Sequence, residues 1–146
     1  MSQAKESLNF EITLGSTFHD KVPAYAVYLN GRKYASGTVS KKTVIKFAAE
    51  VYEGCESLLS VRLENKTDSD TIQNEDKTEI VKDMTLDVLS IIVNDVDWGQ
   101  MLWTHSEFVA DNFSRETIPG CVNLGWNGSF NIKFTSPYYE WLLANI

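Results

Sequence analysis

The sequence predicts an all-β fold, a jelly-roll β-sandwich closed by a short C-terminal helix. Three observations carry this. Apolar and polar side chains alternate along at least five separate segments, the period-2 pattern of strands with one buried face. Asn30-Gly31 joins two such segments, and this residue pair suits the tight turn of a hairpin. Helical spacing is clear only near the end of the chain, so the repeating strand-helix units of a parallel sheet are missing.

The first strand is marked by Leu8, Phe10, Ile12 and Leu14, which alternate with Asn9, Glu11 and Thr13 and stop at Gly15. Residues 25–29 and 32–36 flank Asn30-Gly31, where a type I′ turn needs positive φ at both positions. Ile45, Phe47, Ala49 and Val51 alternate before Gly54, and Leu59, Val61 and Leu63 before Asn65. The next apolar series, Met84, Leu86 and Val88, resumes one residue out of phase at Leu89, Ile91 and Val93. An uninterrupted strand would turn the second triplet to the wrong face, so the shift predicts a β-bulge. Leu86, Leu89 and Val93 also fall at helical spacing, but β-branched Val88, Ile91, Ile92, Val93 and Val96 favour the strand. Asn94-Asp95 then makes a turn, with a shorter strand expected at residues 100–103. The last strand holds Phe130, Ile132 and Phe134 after the turn signal Asn127-Gly128. Ser136 and Pro137 read as N-cap and first residue of a helix that places Tyr138, Trp141 and Leu142 on one face. The expected total is about seven to nine strands with sandwich-like turn spacing. Residues 64–83 and 104–127 are expected to be long irregular loops.

The chain has 146 residues, 43% hydrophobic and 12% aromatic, which suits a single domain over residues 1–146. Twenty acidic against 13 basic side chains give a net charge of -7, which argues against nucleic acid and anionic membrane surfaces as partners. No stretch approaches the roughly 20 apolar residues needed to span a bilayer, and residues 1–6 lack the layout of a signal peptide. Cys55 and Cys121 are too few for a disulfide framework or a four-ligand zinc site, and free thiols are expected over a single bridge. More than half of the excess negative charge, -4, lies between residues 64 and 83.

An enzyme would have to be built around His19 or His105. Neither sits in a nucleophile elbow, a metalloprotease run or a phosphate loop, so no catalytic residues are assigned. The acidic loop offers oxygen ligands for calcium. Asp68, Asp70, Asn74 and Glu79 match EF-hand positions, but Gln73 stands where that loop needs glycine and Ile72 where it needs an oxygen. An EF-hand is excluded, leaving a solvated acidic loop or a calcium site of another geometry that would draw on Asp68, Asp70 and Asp83. Asp83 stands out because it directly precedes a strand. Aromatic rings give a third reading, since flat rings stack on the C–H faces of sugars while short polar side chains bind their hydroxyls. Trp98 and Trp126 are flanked by turn residues and are less core-like than the other large aromatics. With Asp97 and Asn127 they form the candidate ligand-binding set.

The run Leu59-Ser-Val-Arg-Leu-Glu-Asn65, followed by Asp83-Met-Thr-Leu-Asp-Val88 and Val93-Asn94-Asp95, resembles the central strands of jelly-roll carbohydrate-binding modules of the calcium-dependent xylan-binding type. That resemblance implies Asn65 and Asp83 near a metal or ligand edge, calcium as cofactor and a polysaccharide or other glycan as partner. The sequence departs from those modules in lacking their extended glycine-rich, paired-Asp calcium loop. A longer pattern, including Asn65-Lys-Thr, Ile80-Val-Lys-Asp83, Trp126-Asn-Gly128 and Phe134-Thr-Ser-Pro137-Tyr, resembles uncharacterised proteins of marine cyanobacterial tailed phages. It implies a place on a virion. The expected function is a non-catalytic carbohydrate-binding or adhesion module. The alternative is a viral structural or assembly protein whose C-terminal segment, with Trp141 and Leu142, buries against another chain or a second copy. A hydrolase on the same scaffold is the third reading.

Overall fold

Strand β1 (Lys5–Thr17) is longer than its apolar core, and Leu8, Phe10, Ile12 and Leu14 are all within 2% of full burial. The hairpin β2 (Ala24–Leu29) and β3 (Arg32–Thr38) turns at Asn30 and Gly31, with φ of 52° and 83° as a type I′ turn demands. The Asn30 side chain also accepts the Leu58 N–H at 2.8 Å, tying the turn to the neighbouring strand. Strands β4 (Thr43–Tyr52) and β5 (Glu56–Leu63) follow, then the small pair β6 (Ile72–Gln73) and β7 (Ile80–Lys82). β8 (Thr85–Val93) leads through Asn94 and Asp95, both at positive φ, into β9 (Val96–Asp97). Next come the helical turn α1 (Met101–Thr104) and the strands β10 (Ser106–Ala110), β11 (Ile118–Pro119), β12 (Asn123–Leu124) and β13 (Gly128–Thr135). Helix α2 (Tyr138–Asn145) ends the order. The computed structural model describes residues 4–67, 70–73, 75, 80–112 and 116–145.

Two antiparallel sheets face each other. One runs β12-β8-β1-β4 with β9 also on β8; the other runs β11-β10-β13-β5-β2-β3. Their inner faces meet through alternate residues: Phe10, Ile12, Leu86 and Ile91 from the first, Val27, Val61, Phe130 and Ile132 from the second. Burying such side chains is worth about 1.5–3 kcal/mol each, which makes the register strongly determined. The expected jelly-roll sandwich is the fold observed.

The β-bulge also stands where the phase shift put it. Thr13 pairs with Ser90 but Leu14 pairs with Val88, so Leu89 has no partner across the ladder and is 49% exposed. Three expectations are corrected. Residues 100–103 belong to a helical turn, because Met101 and Leu102 are adjacent and both buried, which one face of a strand cannot achieve. Residues 104–127 are not one irregular stretch: β10 pairs with β13, facing Ser106, Phe108 and Ala110 inward. Ser136 is not the cap of α2. Its hydroxyl donates to the Glu6 carboxylate at 2.7 Å, and the same Glu6 oxygen accepts the Tyr138 N–H at 2.8 Å, so β1 supplies the cap.

Candidate functional site

The outer edge of β8 is divided between two short strands. β12 holds its first half, with Asn123 opposite Asp87, and β9 holds its last, with Asp97 opposite Ile92. Asp87 and Ile92 are five residue steps apart along the strand, about 16 Å. The four expected ligand-binding residues therefore split: Asp97 and Trp98 lie at one end, Trp126 and Asn127 at the other.

Trp98 is removed from the ligand set. It is 2% exposed, its indole N–H donates to the Tyr138 hydroxyl at 2.8 Å, and its ring packs on Phe134 and Trp141 at centroid distances of 5.7 and 5.4 Å. A sugar has no access to such a ring. Burial pushes the Tyr138 hydroxyl above its ordinary pKa, the indole donation opposing it in part. Asp97 is exposed and accepts the Gly99 N–H at 2.8 Å, which shapes the turn that sends Trp98 inward. Trp141 and Leu142 are buried in their own chain at 8% and 5% exposure, so they offer no surface for the expected burial against a partner.

At the other end a cleft of about 590 Å³ opens beside β8 and β10, lined by Trp126, Asp83, Glu116, Asn123, Phe108 and Ile118 among others. Trp126 is half-buried, packing one part of its ring on the core while lining the cleft with another. Its position depends on Lys66, a residue 4% exposed despite its charge. The ammonium donates to Asp83 Oδ1 and to the Gly125 carbonyl, both at 2.5 Å, and lies over the Trp126 ring, 5.9 Å from its centroid. Asn127 fixes the same lysine by its backbone: Oδ1 accepts the Lys66 N–H at 2.7 Å and Nδ2 donates to the Lys66 carbonyl at 2.8 Å. The amide expected to touch a ligand is thus a clamp between the β12–β13 loop and the segment after β5.

The expected metal ligands are similarly engaged. Asn65 accepts the Ala24 N–H at 2.8 Å and donates to the Val22 carbonyl at 2.9 Å, holding the start of β2. Asp70 is 4% exposed, accepts from the Thr67 N–H and hydroxyl, and pairs with Lys21 at 2.8 Å. Asp83 Oδ1 takes the Thr71 hydroxyl at 2.7 Å and the Met84 N–H at 2.8 Å besides Lys66. Burial pushes both carboxyls up, but the lysine and hydroxyl donors and the backbone N–H groups outweigh it, so both lie below the ordinary carboxylate value. Asp68, and with it Asn74 and Glu79, lies outside the described residues. Calcium takes six to eight oxygen ligands, and among the described residues no three His, Cys, Asp or Glu side chains come together as a metal group. The donor set at Asn65, Asp70 and Asp83 does not fit the ion.

The histidines lie elsewhere. His19 contacts the Asp70 carbonyl and the Asp20 carboxylate, and His105 contacts Thr104 and Asn145. No disulfide joins Cys55 and Cys121; the Cys121 thiol donates to the Asn123 carbonyl at 3.1 Å. A second concavity, about 510 Å³, runs between β3 and β4 and includes Tyr34 and Tyr52. Its Tyr34 stacks on Phe47 and meets Arg32, and its Tyr52 meets Lys5, whereas the other cleft sets an indole beside two carboxylates and an amide. The Trp126 cleft is the better candidate. Sequence reasoning named Trp126, Asn127 and Asp83 but missed Lys66 and Glu116. No spacing marks a lysine for burial.

No protein-family model matches the sequence, and no curated protein matches it. Solved structures do match the fold. One is vCBM60 in complex with galactobiose, at a TM-score of 0.55 and 10% identity, covering 85% of this chain and 96% of that one. Another is a form of vCBM60 described with a circular permutation linking two families of calcium-dependent carbohydrate-binding modules, at a TM-score of 0.54 and 12% identity, covering 86% and 89%. At such identities the likeness is one of fold.

Proposed function

We propose that this chain is a non-catalytic carbohydrate-binding module that takes a glycan in the Trp126 cleft. The observation that carries the reading is the cleft itself. A half-buried indole lines it beside the Asp83 and Glu116 carboxylates and the Asn123 amide, an apolar plate with hydroxyl-binding groups at its rim. The likeness to a structure solved with galactobiose supports the same class of ligand. Trp141 and Leu142, the residues named for the assembly alternative, are packed within their own chain, which does not favour it. The proposal assigns no calcium to Asp83, whose acceptor oxygen is held by Lys66. The resemblance to phage proteins extends the proposal to a module borne on a virion, which mass spectrometry of purified particles would test.

The direct test is a glycan array followed by calorimetric titration, with galactobiose and xylo-oligosaccharides as first probes. The expected result is binding by the native chain and at least a tenfold loss in Trp126→Ala, measured on the folded protein because that ring also covers Lys66. Failure of the native chain to bind any algal, plant or bacterial glycan would overturn the reading.

A further inference from the structure

The cleft wall is assembled around a positive charge that belongs to the protein. The Lys66 side chain is 2% exposed, and taking an ammonium out of water is costly unless it is paired and hydrogen-bonded. It is both. Its partners are a carboxylate, a carbonyl and the face of an aromatic ring, contributed by two separate segments, the residues before β8 through Asp83 and the β12–β13 loop through Gly125 and Trp126, both reached from the segment after β5. Carboxylate and carbonyl oxygens converging from distant segments are what a hard cation gathers in a metal-tied loop. Here the ammonium gathers them.

The same geometry works against a metal. Asp83 Oδ1 already accepts three donors. A calcium on the second oxygen, at about 2.4 Å, would share one carboxylate with the ammonium and be repelled by its like charge. The buried carboxylate of this region, Asp70, is paired with Lys21. We propose that Lys66 is the fixed cation of the cleft, and that Asp83 in the native chain binds no divalent metal, unlike what the fold's likeness to calcium-dependent modules would suggest. This holds whether or not the cleft takes a sugar.

The test is a calcium titration of the native, isotope-labelled chain followed at the Asp83 carboxyl carbon by NMR. That resonance is expected to stay in place through millimolar calcium, and a saturable calcium-dependent shift would overturn the proposal. A second arm compares thermal stability of Lys66→Met, Asp83→Asn and the double variant. The expected double variant is no less stable than the weaker single one, because each single change leaves a partner stranded; fully additive losses would also overturn the proposal. The carboxyl titration uses only native chain, so it decides the matter even where Lys66→Met fails to fold. Its readout is independent of glycan, so failure here is distinct from failure of sugar binding.

Discussion

Replacing Asn127 with alanine separates a clamp from a ligand contact. The native amide makes two hydrogen bonds to the Lys66 backbone, at 2.7 and 2.8 Å, and Lys66 is 4% exposed. Each bond is worth about 1 kcal/mol net, and an unpaired buried N–H or C=O adds about 1–3 kcal/mol of desolvation. Asn127 is itself only half-buried, so water reaches part of the gap and the total falls near the low end, about 2–4 kcal/mol. For a chain of this size that is a drop in Tm of about 6–12 °C. Asn127→Asp keeps the acceptor for the Lys66 N–H but has no donor for its carbonyl, and should lose less. The assay is thermal unfolding followed by circular dichroism, with glycan binding measured on the folded fraction. If Asn127→Ala abolished glycan binding while leaving Tm unmoved, the amide would be a ligand contact and the clamp reasoning would be wrong.

Three further outcomes follow from the same geometry. Leu89→Ala should cost less than about 1 kcal/mol and Ile91→Ala about 3–4 kcal/mol in urea unfolding, because the bulge leaves Leu89 49% exposed while Ile91 is fully buried; equal costs would refute the bulge. Asp70 and Asp83 have native pKa values below the ordinary 3.8. Their contribution to stability should be fully present above that value and lost as pH falls beneath it through the lowered native values, so Tm against pH should be level near neutrality and drop only in that acid range. Trp98→Phe removes the hydrogen bond to Tyr138 and should lower stability by about 1–3 kcal/mol without changing glycan affinity, as calorimetry on the folded protein would show.

Much of the sandwich was legible because burial and strand period coincide. β1, β5 and β13 put large apolar residues on most of their inward positions, and Asn30-Gly31 encodes a turn through its own φ preference. The bulge was legible for the same reason, since a phase slip in an apolar series has a single structural meaning when one face is buried. β10 was hidden because two of its three inward residues, Ser106 and Ala110, are small and carry no hydrophobic signal. The Ser106 hydroxyl instead donates to the Leu102 carbonyl, a bond that depends on α1 being there first. Trp98 and Trp126 are flanked by similar turn residues, and only tertiary position distinguishes the ring locked among Phe134, Tyr138 and Trp141 from the one lining a cleft. The site was half legible: Asp83, Trp126 and Asn127 were named, but two of them for roles different from those they have. Asp83 is partnered by a lysine and Asn127 grips a backbone, and both facts hinge on Lys66, whose burial depends on contacts 17 and 59 residues away in sequence.

Chemical-shift mapping of the labelled chain with the best-binding oligosaccharide shows whether the Trp126 cleft receives a glycan. The largest shifts are expected on the Trp126 indole and the amides of Asn123, Gly125 and Glu116. Shifts concentrated around Tyr34 and Tyr52 between β3 and β4, with the Trp126 indole unmoved, would contradict that placement.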